Sequence, residues 1–217
     1  MIERTAGLIL RTYPLTETSL IVHWLTPDVG RISTVAKGAR RPKSPFRGKL
    51  DLFYRADFSF VRSRSSTLHT LREVDLRETH PALRHELAYL QQVSYCARLI
   101  EQTTETDTPL PRLFELLTGL LCHLPRHPPQ AATVFAFELK LLRQLGQEPK
   151  LPATPLSAGA RQVLSKLIEL DWPAIARLKP SAAQSGEIDQ FLQGIMQLGR
   201  MARGRTRAIH STHSPGH

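Results

Sequence analysis

The chain has 217 residues, 41% of them hydrophobic and 22% charged, which is enough to bury a core in one large domain or two small ones. No apolar run approaches the roughly 18 residues of a membrane span, the first ten residues are too interrupted for a secretory leader, and two cysteines, Cys96 and Cys122, make neither a disulfide framework nor a four-cysteine metal site. The formal charge of +10 is uneven: residues 1–80 carry net +6, residues 81–199 net zero and residues 200–217 net +4. A basic balance of this kind attracts polyanions by Coulomb forces and counterion release.

The first part of the chain has the pattern of strands. Residues 6–10 and 20–25 are short apolar runs, and Pro27, Asp28 and Gly30 are turn residues before a further run at 31–35, which together spell a hairpin. Ala56, Phe58 and Phe60 alternate with Arg55, Asp57 and Ser59, the period of a half-buried strand. Residues 68–74 supply a fifth strand. Five strands with one long basic loop suit a small barrel of the OB type, whose face binds nucleic acid. Periodicity alone does not separate it from an SH3-like barrel.

From about residue 80 the period becomes helical. Leu83, Leu87, Leu90, Ala97 and Ile100 share one face, and Leu110, Leu113, Leu117, Leu120 and Leu124 mark a second helix between Pro109 and Pro125. Residues 131–145 are apolar nearly all round, with Gly146 at the place of a C′ glycine. A Pro-rich linker at 149–155 precedes a helix capped by Ser157, and a last helix follows around Ile188, Phe191, Leu192 and Ile195. The fold class expected is α+β: an OB-fold barrel over residues 1–78, a helical domain over 79–203 without a zinc element, and a disordered basic tail over 204–217.

The densest chemical signal is the basic segment between the third and fourth strands. Arg31, Lys37, Arg40, Arg41, Lys43, Arg47 and Lys49 put seven cations in 19 positions with no acid among them. Gly38, Pro42, Pro45 and Gly48 keep the segment out of a regular helix. Arginine offers phosphate a planar fork and lysine a point charge. Phe46, Phe53 and Tyr54 stand close by for stacking on bases, provided that they face outward.

The phrase VAKGARRPKSPFRGKL, residues 35–50, resembles the loop that joins two strands of the OB-fold in the RecO family of bacterial repair proteins. The segments GLILRT at 7–12, ETSLIV at 17–22 and LTPDVGR at 25–31 are similar to that family's opening strands and hairpin, and LLRQLGQEP at 141–149 to the end of its central helix. The resemblance implies a cytoplasmic, nucleoid-associated protein that is no enzyme and needs no cofactor. It implies binding of single- and double-stranded DNA, annealing of complementary strands, and help in loading RecA. The partners implied are RecR and the acidic C-terminal tail of the single-stranded-DNA-binding protein, with no membrane. Arg98, Arg112 and Arg143 are candidates for the rim of a groove that takes such a tail. Many members carry a four-cysteine zinc element after the central helix; here residues 147–157 hold neither cysteine nor histidine, so no zinc is expected.

Other candidates have plainer readings. His123 and His127 are four apart, but Pro125 and Pro128 break the helix that would align them. Cys96 and Cys122 are expected as buried core thiols. No P-loop, GxGxxG, HExxH or GxSxG motif is present. The sequence leaves two competitors to a DNA mediator, an RNA-binding OB-fold protein and a protein-interaction scaffold. A nuclease fits poorly, since no cluster of acidic metal ligands is visible.

Overall fold

The computed structural model describes the backbone of residues 1–211 and the side chains of residues 1–197. By its internal packing the chain divides into a compact unit at Met1–Pro128 and a second one beginning at Pro129.

In the first unit β1 (Ile2–Pro14), β2 (Leu20–Leu25), β3 (Arg31–Ala36), β4 (Arg55–Val61) and β5 (Leu68–Glu78) close into a barrel in the order β1-β2-β3-β5-β4. β1 pairs antiparallel with both β2 and β4, and β3 meets β5 in parallel. This closure resolves the barrel type left open by periodicity in favour of the OB-fold. Alternation explains why these segments are strands: Ile32, Thr34 and Ala36 point inward along β3, and Ala56, Phe58 and Phe60 along β4. Trp24 stacks on Phe58 at 4.0 Å between centroids and donates its indole N–H to the buried Thr34 hydroxyl at 2.9 Å, so the one polar atom of a large core side chain is satisfied. Gly7 is needed here, because a Cβ would stand 2.6 Å from the Phe58 ring.

A 3-10 turn at Pro81–Arg84 leads into α1 (Leu87–Thr103), and α2 (Pro111–His123) follows. Both present apolar faces, Val93, Cys96, Leu99 and Ile100 on α1 and Leu113, Leu117 and Leu120 on α2, which are buried. The segment between the helices crosses the barrel hairpin, where Asp107 N donates to the Arg31 carbonyl and Leu110 N to that of Pro27.

The second unit contains α3 (Ala131–Gln144), α4 (Ala158–Glu169), α5 (Trp172–Ile175) and α6 (Ala182–Ser211). α3 is buried on nearly every side, as its composition implies, and Gly146 takes a positive φ of 68° just past its end. The Ser157 hydroxyl accepts from Ala160 N and caps α4. Lys140 donates to the carbonyls of Ile168 and Leu170, closing the far end of the same helix. The linker at 149–155 holds one 3-10 turn, Leu151–Ala153. α6 runs on to Ser211, past Gly204 where the sequence places the start of a tail; residues 212–217 lie outside the described residues.

Candidate nucleic-acid interface

The basic segment between β3 and β4 is an ordered loop. Its backbone runs as successive turns, with Ala39 N donating to Ala36 O, Arg41 N to Gly38 O, Ser44 N to Arg41 O, Arg47 N to Ser44 O and Lys49 N to Phe46 O. Gly38 and Gly48 sit at φ of 69° and 72°, where only glycine is unstrained. Phe46 anchors the middle, buried in the same apolar cluster as Ile32, Ala36 and Leu71 of the barrel. One apolar anchor and a chain of turns therefore hold a highly charged segment in one shape.

That shape faces its cations outward. Lys37, Arg40, Arg41, Lys43 and Arg47 are exposed, and among the described residues none of them pairs with a carboxylate. Arg4, Arg11, Arg62, Arg77, Arg84 and Arg143, by contrast, are each held by an acid within 4 Å. Two loop arginines are steered by neutral carbonyls, which leaves their charge intact. Arg40 donates from its side chain to Thr16 O at 3.2 Å and from its backbone to Thr18 O at 2.9 Å; Arg47 donates to Pro42 O at 3.3 Å. Gly38 N donates to the Ser19 hydroxyl, so the start of the basic loop is tied to the β1–β2 turn, a turn that OB-folds use for oligonucleotides.

The other two predicted cations are placed differently. Lys49 is half-buried and donates to Val74 O at 3.1 Å. Arg31 is half-buried and turned toward α1, with its guanidinium on the hydroxyl and carbonyl of Thr104.

The aromatic residues do not stand where stacking on a ligand requires. Phe46 and Phe53 are in the core, and Tyr54 is half-buried beneath the Arg84 guanidinium, 5.1 Å from its ring centre. Phe53 even takes a positive φ of 64° with its N–H on Ile9 O, a conformation kept by its burial. Apolar residues missed by sequence reasoning matter more: Leu20 and Leu50 join Phe46 as the floor of an open recess of about 370 Å³, rimmed by Arg40, Arg41 and Arg47. Local pattern assigned Leu20 to a strand and Leu50 to the end of the basic run, and nothing in the spacing joins them.

Arg98 is exposed on α1 at the edge of a second recess, about 390 Å³, lined by the buried Leu10 and Phe53 and by the exposed Leu52. Arg112 is exposed on α2. Arg143 belongs to the second unit and grips Glu148 with two hydrogen bonds. His123 and His127 do come together, with ring centres 4.4 Å apart, because a 3-10 turn at Leu124–Arg126 continues the helix where a full break was expected. Cys96 is buried as expected, but Cys122 is exposed, since α2 turns that position away from its apolar face. Among the described residues no three His, Cys, Asp or Glu side chains converge as metal ligands, and no helix is long and apolar enough to cross a membrane.

Residues 1–80 match the family model described as "Recombination protein O N terminal", and residues 84–154 that described as "Recombination protein O C terminal". The chain is similar to the DNA repair protein RecO of Rhodopirellula baltica, 37% identical over 66% of this chain and 53% of that one. It is also similar to those of Alkaliphilus metalliredigens, 34% identical over 70% and 61%, and Bacillus pumilus, 31% over 70% and 58%. The matched stretch thus spans a little over half the length of these relatives. With both family models matching in order, one on the barrel and the other on the helices after it, the chain belongs to the RecO family.

Proposed function

We propose that this protein acts in DNA repair and recombination by binding DNA through the β3–β4 loop, annealing complementary strands and assisting RecA on single-stranded DNA. The observation that carries the reading is the loop itself: five exposed cations without a carboxylate partner among the described residues, on an ordered backbone beside the β1–β2 turn of an OB-fold. A backbone already held in turns need not be ordered on meeting a phosphate chain, and counterion release supplies affinity independent of sequence. The family's relatives are DNA repair proteins by name, which favours this reading over the RNA-binding and scaffold alternatives. No catalytic step is required of the chain. RecR is proposed as a partner from family membership alone.

A second reading concerns the recess at Arg98. An apolar lining of Leu10, Leu52 and Phe53 with a guanidinium at the edge suits a peptide that ends in apolar residues and a carboxylate. The acidic tail of the single-stranded-DNA-binding protein has that chemistry, and a position in the cytoplasm on the nucleoid accords with both readings.

The deciding experiment is annealing of two complementary labelled strands by the purified protein, with and without the single-stranded-DNA-binding protein. Acceleration of pairing in both conditions supports the proposal. No acceleration, together with equal or tighter binding of RNA of the same length at fixed salt, overturns it.

A further inference from the structure

We infer that the recess inside the basic loop is a seat for one unpaired nucleobase, so that the loop holds single strands by a base as well as by phosphates. This rests on the DNA-binding reading above and names the part of the strand that the recess takes.

The recess has two chemistries in one place. Its floor is apolar, formed by the half-buried Leu20 and Leu50 packed against the buried Phe46, while its rim carries Arg40, Arg41 and Arg47. Phosphate alone needs no apolar floor: an anion is held best by donors on every side. A nucleobase needs both, a flat apolar body covered and a sugar-phosphate linkage met by cations. Two of the rim arginines are held by carbonyls, Arg40 on Thr16 and Arg47 on Pro42, and so keep their charge for the strand. Gly48 completes the opening. Its φ of 72° excludes ordinary side chains, and nothing stands within 4 Å of where a Cβ would project, so backbone is bare there for close approach.

The geometry also selects the strand. A base in a duplex is paired at one edge and stacked on both faces, and it must be extruded before it enters any pocket. An unpaired base enters at small cost. The loop therefore prefers single strands, and that preference comes from the recess, because exposed cations alone meet the phosphates of either form.

The test compares two strands of equal length and charge on the full chain: oligothymidylate, and the same phosphate backbone carrying abasic tetrahydrofuran units. At one salt concentration the base-free strand should bind about tenfold more weakly, with an unchanged dependence on salt. A protein in which Ala39→Leu fills the recess, at a half-buried position that already lines it, should bind both strands like the base-free one. Equal affinity of the native protein for the two strands overturns the inference, and this arm needs no variant to fold. Discrimination that survives Ala39→Leu overturns it too, since the base is then held elsewhere. Failure of the phosphate reading is seen separately: the base-free strand then binds Arg40→Ala/Arg41→Ala protein as well as native protein.

Discussion

The guanidinium of Arg31 is bound to Thr104, its Nε on the hydroxyl at 2.7 Å and its far nitrogen on the carbonyl, across 73 positions of sequence. The same hydroxyl donates onward to Ile100 O at 2.7 Å, so the residue ends α1 and receives β3 at once. At least two of the five guanidinium N–H donors are committed in this way, and the half-buried side chain is turned toward α1. Arg31→Ala should lower stability by about 1–3 kcal/mol, the cost of losing charged hydrogen bonds in a partly buried place. It should leave the salt dependence of DNA binding nearly unchanged. Urea melts and a salt titration measure the two effects; a slope flattened by about 0.7 would return Arg31 to the phosphate-contacting set.

A second tie between barrel and α1 gives a dependence on pH. Burial of Glu101 by itself raises its pKa. The contact with His23 and the charge of Arg11, whose Nε lies 2.6 Å from the carboxylate, outweigh that and hold the group below the usual carboxylate range. A folded pKa below the unfolded one contributes stability above the unfolded value, and that contribution is lost as pH falls through the folded one. Glu101→Gln should therefore be less stable than the native protein at neutral pH. The difference should close as the pH is lowered through the carboxylate range, which denaturant melts at a series of pH values would read. A constant difference at every pH would assign the effect to packing instead of charge.

His123 behaves in the same sense at higher pH. Burial, then His127, then Arg126, bring its pKa from 6.5 down to about 4. The unfolded chain takes up this proton before the folded one does, so stability falls as pH drops from about 6.5 toward about 4, at no more than about 1.4 kcal/mol per pH unit. His123→Gln should remove that part of the acid sensitivity. A proton NMR titration of the imidazole provides the direct check: a midpoint near 6.5 in the folded protein would contradict the argument.

The legible parts of this molecule are those governed by short-range rules. Alternation at Ala56, Phe58 and Phe60 marks a strand wherever it packs, and Ser157 caps a helix by reaching only three residues ahead. The basic loop was visible as charge, because no acid interrupts it between Arg31 and Lys49. What the sequence hides are pairings made by closure of the barrel. Arg31 looks like any other loop cation until Thr104 is seen beside it. Gly30 has the appearance of a simple turn residue, yet the backbone of Thr108 passes so close that a Cβ would stand 1.8 Å from its carbonyl oxygen. Phe46 sits among cations, where the sequence offers it for stacking on bases, but its ring is buried in the core and helps the chain of turns to hold the loop. Linear spacing carries no sign of which aromatic residue in a segment will be claimed by the interior.

The loop itself supports the most direct prediction. Lys37, Arg40, Arg41, Lys43 and Arg47 are the exposed members of the proposed contact surface. If each neutralises one phosphate of a single strand, log K should fall against log salt with a slope of roughly −3.5. Arg40→Ala/Arg41→Ala should flatten that slope by about 1.4. The loss should be alike on all sequences, because phosphate contacts position a protein without reading bases. Folding should be little affected, since Arg41 is exposed and the side-chain bond of Arg40 to Thr16 is a surface one, while the backbone bond from Arg40 to Thr18 survives the change. Circular dichroism establishes that the variant is folded, and fluorescence anisotropy at several salt concentrations gives the slope. A folded double variant that keeps full affinity and the full slope would show that DNA meets another surface of the chain, and Arg98 and Arg112 on α1 and α2 would be the next cations to replace.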